Sequence, residues 1–210
     1  ISQDILIPAD RLLKAESGQI VVVDIVEPPS RNSLPMGHIA EVLGEHLDPG
    51  LEIDMSIRNY GIPHQWNDEV IAETAAIPDQ VQDKELRVDL RDTPLITIDG
   101  EDARDFDDAV YCEPKPRGGW RLIVAIADVS HYVTVGSALD AEAFERGNSV
   151  YFPNHVVPML PEKLSNGLCS LNPAEDRLCM VCEMQISPEG EIGRYQFYEA
   201  VMHSHARMTY

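Results

Sequence analysis

Residues 97–110 read TIDGEDARDFDDAV, and six of the ten side chains from position 99 to position 108 are acidic. The β-branched run TPLITI leads into this stretch and DAVYCEP leaves it, so it reads as strand, acidic loop, strand. Carboxylates crowded together repel one another. Each must take up a proton, be neutralised by a cation or be screened by water. At this level a solvated acidic turn and a cation site fit the residues equally well.

Working outward towards the C-terminus, the turn KPRGG and the apolar run WRLIVAIADV add a hairpin. In GSALDAEAFERG, Ser137 can cap a helix, with Asp140 at its third position and Gly147 as its stop. The prolines of NSVYFPNHVVPMLP exclude regular helix and leave Tyr151 and Phe152 in an irregular segment, with Phe152 the expected core member of the two. LSNGLCSLNP is loop-like, and RLCMVCEMQI and EIGRYQFYEAVM read as strands around the turn SPEG. Towards the N-terminus, residues 79–92 are highly charged, as in an exposed helix or linker, and NDEVIAETAAI reads as a helix capped by Asn67 and stopped by Pro78. DILIPADRLL, GQIVVVDIV and GHIAEVLGE, with the loop PPSRNSLPMG, suggest a small barrel or part of one.

The chain has 210 residues, 44% hydrophobic and 6% aromatic, enough for one large domain or two small ones. Its formal charge of −20 argues against non-specific nucleic-acid binding, which needs a basic surface to release counterions from phosphates. Four cysteines are too few for a disulfide scaffold and suggest a reducing cytoplasm. Cys179 and Cys182 form a C-x-x-C, but an apolar strand without a second pair favours small hydrophobes over a zinc or redox site. His203 and His205 lack a third ligand and read as strand residues on one face. Neither a leader peptide nor a membrane span is expected, and the start at Ile1 suggests an excised fragment.

Asp99 falls at the expected end of one strand, and Asp105, Asp107 and Asp108 fall just before the next. Two strand ends can present these carboxylates to one point. An all-oxygen, strongly anionic set suits a hard divalent ion, and Mg²⁺ takes one or two carboxylates together with waters and phosphate oxygens. Two such ions about 3.5 to 4 Å apart can activate water and stabilise the leaving oxygen of a phosphodiester. An EF-hand does not fit, because neither Asp99 nor Asp105 begins the alternating acidic series ending in Gly. Nothing isolates a glycosidase-like pair either.

TIDGEDARDFDDAV, followed in order by IADVSHYV, SVYFPNHVVPMLP, LSNGLCSLNP and RLCMVCEM, resembles the catalytic domain of the ribonuclease II and ribonuclease R family, nearest its bacterial ribonuclease R branch. GQIVVVDIV and GHIAEVLGE resemble part of that family's second cold-shock barrel, and RVDLRDTPL the approach to its catalytic domain. The implied fold is α+β and β-rich. It places a partial OB-like cold-shock barrel over residues 1–60, a helical and charged linker over 61–92, and the N-terminal portion of a ribonuclease II-type catalytic domain over 93–210.

The resemblance implies a processive exoribonuclease that degrades single-stranded RNA from its 3′ end, releasing nucleoside 5′-monophosphates by hydrolysis with Mg²⁺, or with Mn²⁺ in its place. Asp99, Asp105, Asp107 and Asp108 match the family aspartates. Asp99 and Asp108 are expected to ligate the more permanent ion, and Asp105 to hold a water or a second ion. Asp107 is the position where Asn should harm turnover most, while Glu101 and Asp102 have no match and read as solvated. Tyr151 matches an aromatic that stacks on a base near the 3′ end, a contact worth about 1 to 3 kcal/mol and tolerant of every base. The alternative is a core tyrosine with a satisfied hydroxyl.

The family's catalytic domain extends further, with an arginine, another stacking aromatic and another acid beyond the matched part, and with basic RNA-binding barrels elsewhere. This chain alone is therefore expected to bind RNA weakly, to expose apolar surface and to pair with a second copy through it, whereas the whole enzyme is expected to be a cytoplasmic monomer without membrane contact. A non-catalytic module for single-stranded RNA is the competing reading. It requires aromatic and basic residues interleaved on the barrel strands, and GQIVVVDIV and GHIAEVLGE offer neither. DNA as substrate is left open by the aspartates, since contacts to the 2′-hydroxyl decide that choice.

Overall fold

The computed structural model of the chain describes residues 3–31, 33–46 and 48–210. It divides into two units, Ile1–His64 and Gln65–Tyr210. In the first, GQIVVVDIV and GHIAEVLGE form strands β1 (Gln19–Glu27) and β2 (Met36–Glu45), paired antiparallel. Register shifts at Ile20/Val21, Val22/Val23 and Ile25/Glu27 bend the ladder, as a barrel wall requires. DILIPADRLL supplies less strand than its composition suggests: a single parallel bridge from Leu6 to Met36 and a 3-10 turn at Ala9–Arg11. Asn32, in the expected loop PPSRNSLPMG, lies outside the described residues.

Helix α1 (Leu51–Asn59) was not expected from the sequence. Its apolar residues Leu51, Ile53, Met55 and Ile57 alternate with period two, which imitates a strand. The helix forms with Leu51 and Ile57 buried, while Arg58 forks onto Glu41 of β2 with Nε and Nη2 donating at 2.9 and 2.6 Å.

The second unit runs in order through helix α2 (Asp68–Ala76), strands β3 (Val88–Asp99), β4 (Asp108–Pro114) and β5 (Trp120–Ala127), helix α3 (Ala138–Arg146), strands β6 (Val150–Phe152) and β7 (His155–Val157), and strands β8 (Arg177–Ile186) and β9 (Ile192–Thr209). β3, β4, β5, β8 and β9 close into a barrel in that order. Closure comes from parallel pairing of β9 with β3, which brings Thr209 beside Asp99. Leu95, Ala109, Ile123, Ala125, Val181, Ala200 and Met202 are buried in its core. Small residues facing large ones fill the narrow interior.

The helices follow the expected caps. The Asn67 side chain accepts from the Val70 N–H at 2.8 Å, and the Ser137 hydroxyl accepts from the Asp140 N–H at 3.1 Å. Gly147 ends α3 with φ of +73°. The two helices pack together, and Glu73 of α2 accepts from the Leu139 N–H at 3.0 Å.

Two segments differ from expectation. The charged stretch 61–92 is not a separate linker, because residues from Gln65 belong to the second unit and Val88–Asp92 is already β3. There Leu90 enters the core, and Asp89 and Arg91 neutralise each other at 2.6 Å. SVYFPNHVVPMLP is more regular than its prolines suggest, since β6 and β7 form a hairpin turned at Pro153 and Asn154. Asn154 takes φ of +62°, which asparagine tolerates.

Cys179 and Cys182 stand three residues apart on β8 and so face opposite sides of the sheet. Burial pushes the Cys179 thiol up to about 12.

The β4–β5 turn depends on Gly119, whose φ is +77° and where a Cβ would lie 2.2 Å from the Ile186 carbonyl oxygen. Gly119→Ala should cost more than about 1 kcal/mol, because strain and clash both oppose it. A thermal melt of this variant beside Gly136→Ala checks the claim. Gly136 shares a positive φ but faces open space, so equal losses would leave the clash without effect.

Candidate active site

Asp99 is the last residue of β3 and Asp108 the first of β4, and the loop between them turns through an Ala103 N–H to Gly100 carbonyl bond of 3.1 Å. The far half of this loop is pinned from below. The buried Ser170 hydroxyl accepts from the Phe106 N–H at 3.0 Å and donates to the Arg104 carbonyl at 2.8 Å. The Phe106 carbonyl accepts from the Leu171 N–H at 2.9 Å, and the Asp107 carbonyl from the Ala127 N–H at 2.8 Å. With its backbone held on both sides and Phe106 buried, the loop presents Asp105, Asp107 and Asp108 beside Asp99.

The four carboxyl groups act on one another through their charges. Asp99 is raised above the usual carboxylate range by burial and then by Asp108 and Asp105, with Arg207 opposing. Asp107 is raised by desolvation and then by Asp105, Asp108 and Asp99. Oδ2 of Asp99 is buried without a hydrogen-bond donor. A buried carboxylate oxygen without a partner, surrounded by like charges, is a costly arrangement that a cation would relieve.

Among the described residues, no three His, Cys, Asp or Glu side chains are grouped closely enough to hold a metal ion. The four carboxylates thus act on one another electrostatically without being gathered into a closed shell. That is compatible with Mg²⁺, whose shell is commonly completed by water and phosphate oxygens, and the all-oxygen donor set suits the same ion.

Tyr151 on β6 donates its hydroxyl to Oδ2 of Asp105, while its ring stays 60% exposed. Partial burial and that carboxylate push the phenol up to about 12. The core reading of Tyr151 is thus excluded, and Phe152, half-buried, is outside the core as well.

Sequence reasoning missed two supports. Ser170 lay in an apparent loop, where only its apolar flanks, Leu168, Cys169 and Leu171, hinted at burial. Arg207 was overlooked beside two histidines. It stacks on Phe106, 4.9 Å from the ring centre, and donates to the Glu101 carbonyl. His203 and His205 share one face of β9 but bind separately, to Asp176 at 2.5 Å and to the Arg91 carbonyl at 2.9 Å. A cavity of about 500 Å³ lined by Lys84, Lys163, Asp176, Arg177 and His203 includes none of the four aspartates. Its charges are already paired, Lys84 with Asp176 at 2.5 Å and Lys163 with Asp79 at 2.8 Å.

Comparison with known proteins gives two family matches, an RNB domain over residues 87–210 and a cold shock domain over residues 1–67. Ribonuclease R of Vibrio cholerae serotype O1 is 60% identical over 212 residues, covering 100% of this chain and 26% of that protein. The chain thus spans about a quarter of the length of the curated relatives it matches. Mycoplasma genitalium RNase R, solved in complex with double-stranded RNA, superposes with a TM-score of 0.90 at 35% identity, covering 100% of this chain and 38% of that one. Yeast Ssd1, a pseudonuclease, shares the fold at a TM-score of 0.70 and 20% identity, over 98% of this chain and 27% of that one. A fold shared with a pseudonuclease leaves the chemistry to be argued from the side chains.

Proposed function

The chain belongs to the RNB-domain family, and from that premise we propose that it supplies the carboxylate centre of a 3′-to-5′ exoribonuclease. The complete protein would hydrolyse single-stranded RNA processively to nucleoside 5′-monophosphates, in the cytoplasm, with Mg²⁺ or Mn²⁺ as cofactor. The observation that carries this reading is the donor-less buried oxygen of Asp99 among mutually repelling carboxylates, beside an exposed tyrosine. No helix among the described residues is long and apolar enough to cross a membrane.

In this reading Asp99 and Asp108 hold the ion, Asp107 supports it as an anion, and Asp105 holds a water or a second ion. A bound Mg²⁺ supplies positive charge for the phosphate oxygens and lowers the pKa of its water. The chain's own residues do the rest. β3 and β4 fix the carboxylates, Ser170 and Leu171 keep the loop from relaxing away from its own repulsion, and the Tyr151 ring offers a sequence-independent face for a terminal base. The Tyr151 hydroxyl ties that face to Asp105, so base position and carboxylate position are coupled.

Calorimetric titration of Mg²⁺ and Mn²⁺ into this chain and into an Asp107→Asn, Asp108→Asn variant tests the centre. Binding by the chain that the variant loses is expected. The longer protein should then shorten 3′-labelled RNA from that end. Equal, negligible binding to both chains would remove the ion site from this chain.

A further inference from the structure

Ser170 is fully buried, and every polar group it carries is in use. Its N–H donates to the Gly167 carbonyl at 3.0 Å, and its own carbonyl accepts twice, from the Asn172 N–H at 2.8 Å and from Nε of Arg177 at 2.6 Å. With its backbone fixed in this way, its hydroxyl has one direction to point. That single oxygen holds the Arg104 carbonyl and the Phe106 N–H, the backbone groups on either side of Asp105. The next residue, Leu171, holds the Phe106 carbonyl that precedes Asp107.

Arg177 is the first residue of β8, and its side chain is only 9% exposed. The guanidinium folds back over the segment that leads into its own strand. Besides Nε on Ser170, Nη1 donates to the Asp176 carbonyl at 2.8 Å and Nη2 to the Glu175 carboxylate. Glu175 is exposed, so this ion pair alone does not account for an arginine taken out of water. The planar fork gives what a lysine could not, three donors in fixed directions on a segment of seven residues.

We propose that Arg177 is a positioning residue for the acidic loop and acts through Ser170. The guanidinium fixes the Ser170 peptide, and the Ser170 hydroxyl fixes the backbone on both sides of Asp105. Neither side chain bonds to any of the four aspartate carboxylates, so both act on geometry alone. The inference rests on the reading of those aspartates as an ion centre. Carboxylates that repel one another would spread a free loop, and a loop held from behind meets the ion already ordered.

Calorimetric titration of Mn²⁺ into the whole chain, Ser170→Ala, Arg177→Met and the double variant is the test. Each single variant is expected to weaken binding about tenfold, the low end of the loss when a support behind a metal ligand is removed. Because one residue acts through the other, the double variant should bind no more weakly than the weaker single one. Gly119→Ala, at the far end of β5, should melt lower and bind the ion as the parent does. If Arg177→Met fails to fold, Arg177→Lys keeps the charge without the fork and takes its place. Single variants that bind as tightly as the parent overturn the proposal. So do losses that multiply in the double variant, or an equal loss in Gly119→Ala, which would make the effect one of general stability. A parent chain that binds no Mn²⁺ overturns the ion centre itself and this role with it, an outcome told apart because the variants then differ from the parent in nothing.

Discussion

Asp107→Asn should melt slightly above the unaltered chain in metal-free buffer, and below it once Mg²⁺ is added. The first half follows from repulsion. Desolvation and the charges of Asp105, Asp108 and Asp99 raise the folded-state pKa of Asp107 above its unfolded value. A carboxyl raised in this way costs stability at neutral pH, and the cost disappears as pH falls below the usual carboxylate range. Because Asp107 retains solvent-facing surface, screening limits the gain to about 0.5–1 kcal/mol, or roughly 1–4 °C for a chain of this size. The second half follows from linkage. An ion at one hundred times its dissociation constant stabilises the chain that binds it by about 2.7 kcal/mol, more than the repulsion it relieves. Melting both chains with and without Mg²⁺, at neutral pH and at pH 3, reads out every part. If the variant melted lower in both buffers, the carboxylate would be part of the apo fold and not a strained ion ligand.

That trade-off also explains what the sequence could reveal. The strand, loop and strand around TIDGEDARDFDDAV were legible because apolar alternation and acidic density change together at positions 99 and 108. The caps at Asn67 and Ser137 were legible because capping is a local interaction. The failures share a cause, which is that tertiary contact overrides local pattern. α1 has the period of a strand and becomes a helix, and Val88–Asp92 has the charge of a linker and becomes barrel wall once Val88–Leu90 pairs with Ala200–Met202 of β9 and Leu90 enters the core. Barrel closure between β3 and β9 joins residues more than a hundred positions apart, and nothing local encodes it. Ser170 acts on the loop across 64 positions and Arg207 across 106, so no motif around 97–110 could have pointed to them.

The largest loss of stability is expected from Arg87→Ala. Arg87 stands just before β3 and Asp128 just after β5, and their side chains, each 5% exposed, meet at 2.6 Å. Burial alone would raise Asp128, but the Ser130 hydroxyl and the Arg87 guanidinium outweigh it and hold the carboxyl below its usual range. Removing the arginine leaves a buried charge without its partner, at a cost of about 3–5 kcal/mol. The pH dependence identifies the cause. In the parent, a depressed carboxyl contributes stability that is present above the unfolded pKa and lost as pH falls through the folded one. In the variant Asp128 can escape by protonation, so the deficit should be full at neutral pH, begin to shrink as pH falls through the raised pKa of the unpaired carboxyl, and shrink further as the parent loses its own pair in acid. Replacing both partners, Arg87→Met with Asp128→Leu, should recover much of the loss, because a buried pair exchanged for apolar groups of similar volume is often neutral. The consequence reaches the carboxylate centre, since Asp128 adjoins Ala127, whose N–H holds the Asp107 carbonyl at 2.8 Å. Urea melts of the single and double variants at neutral and acid pH decide the matter. A deficit independent of pH, or one the double variant fails to reduce, would mean that Arg87 acts through packing and not through its charge.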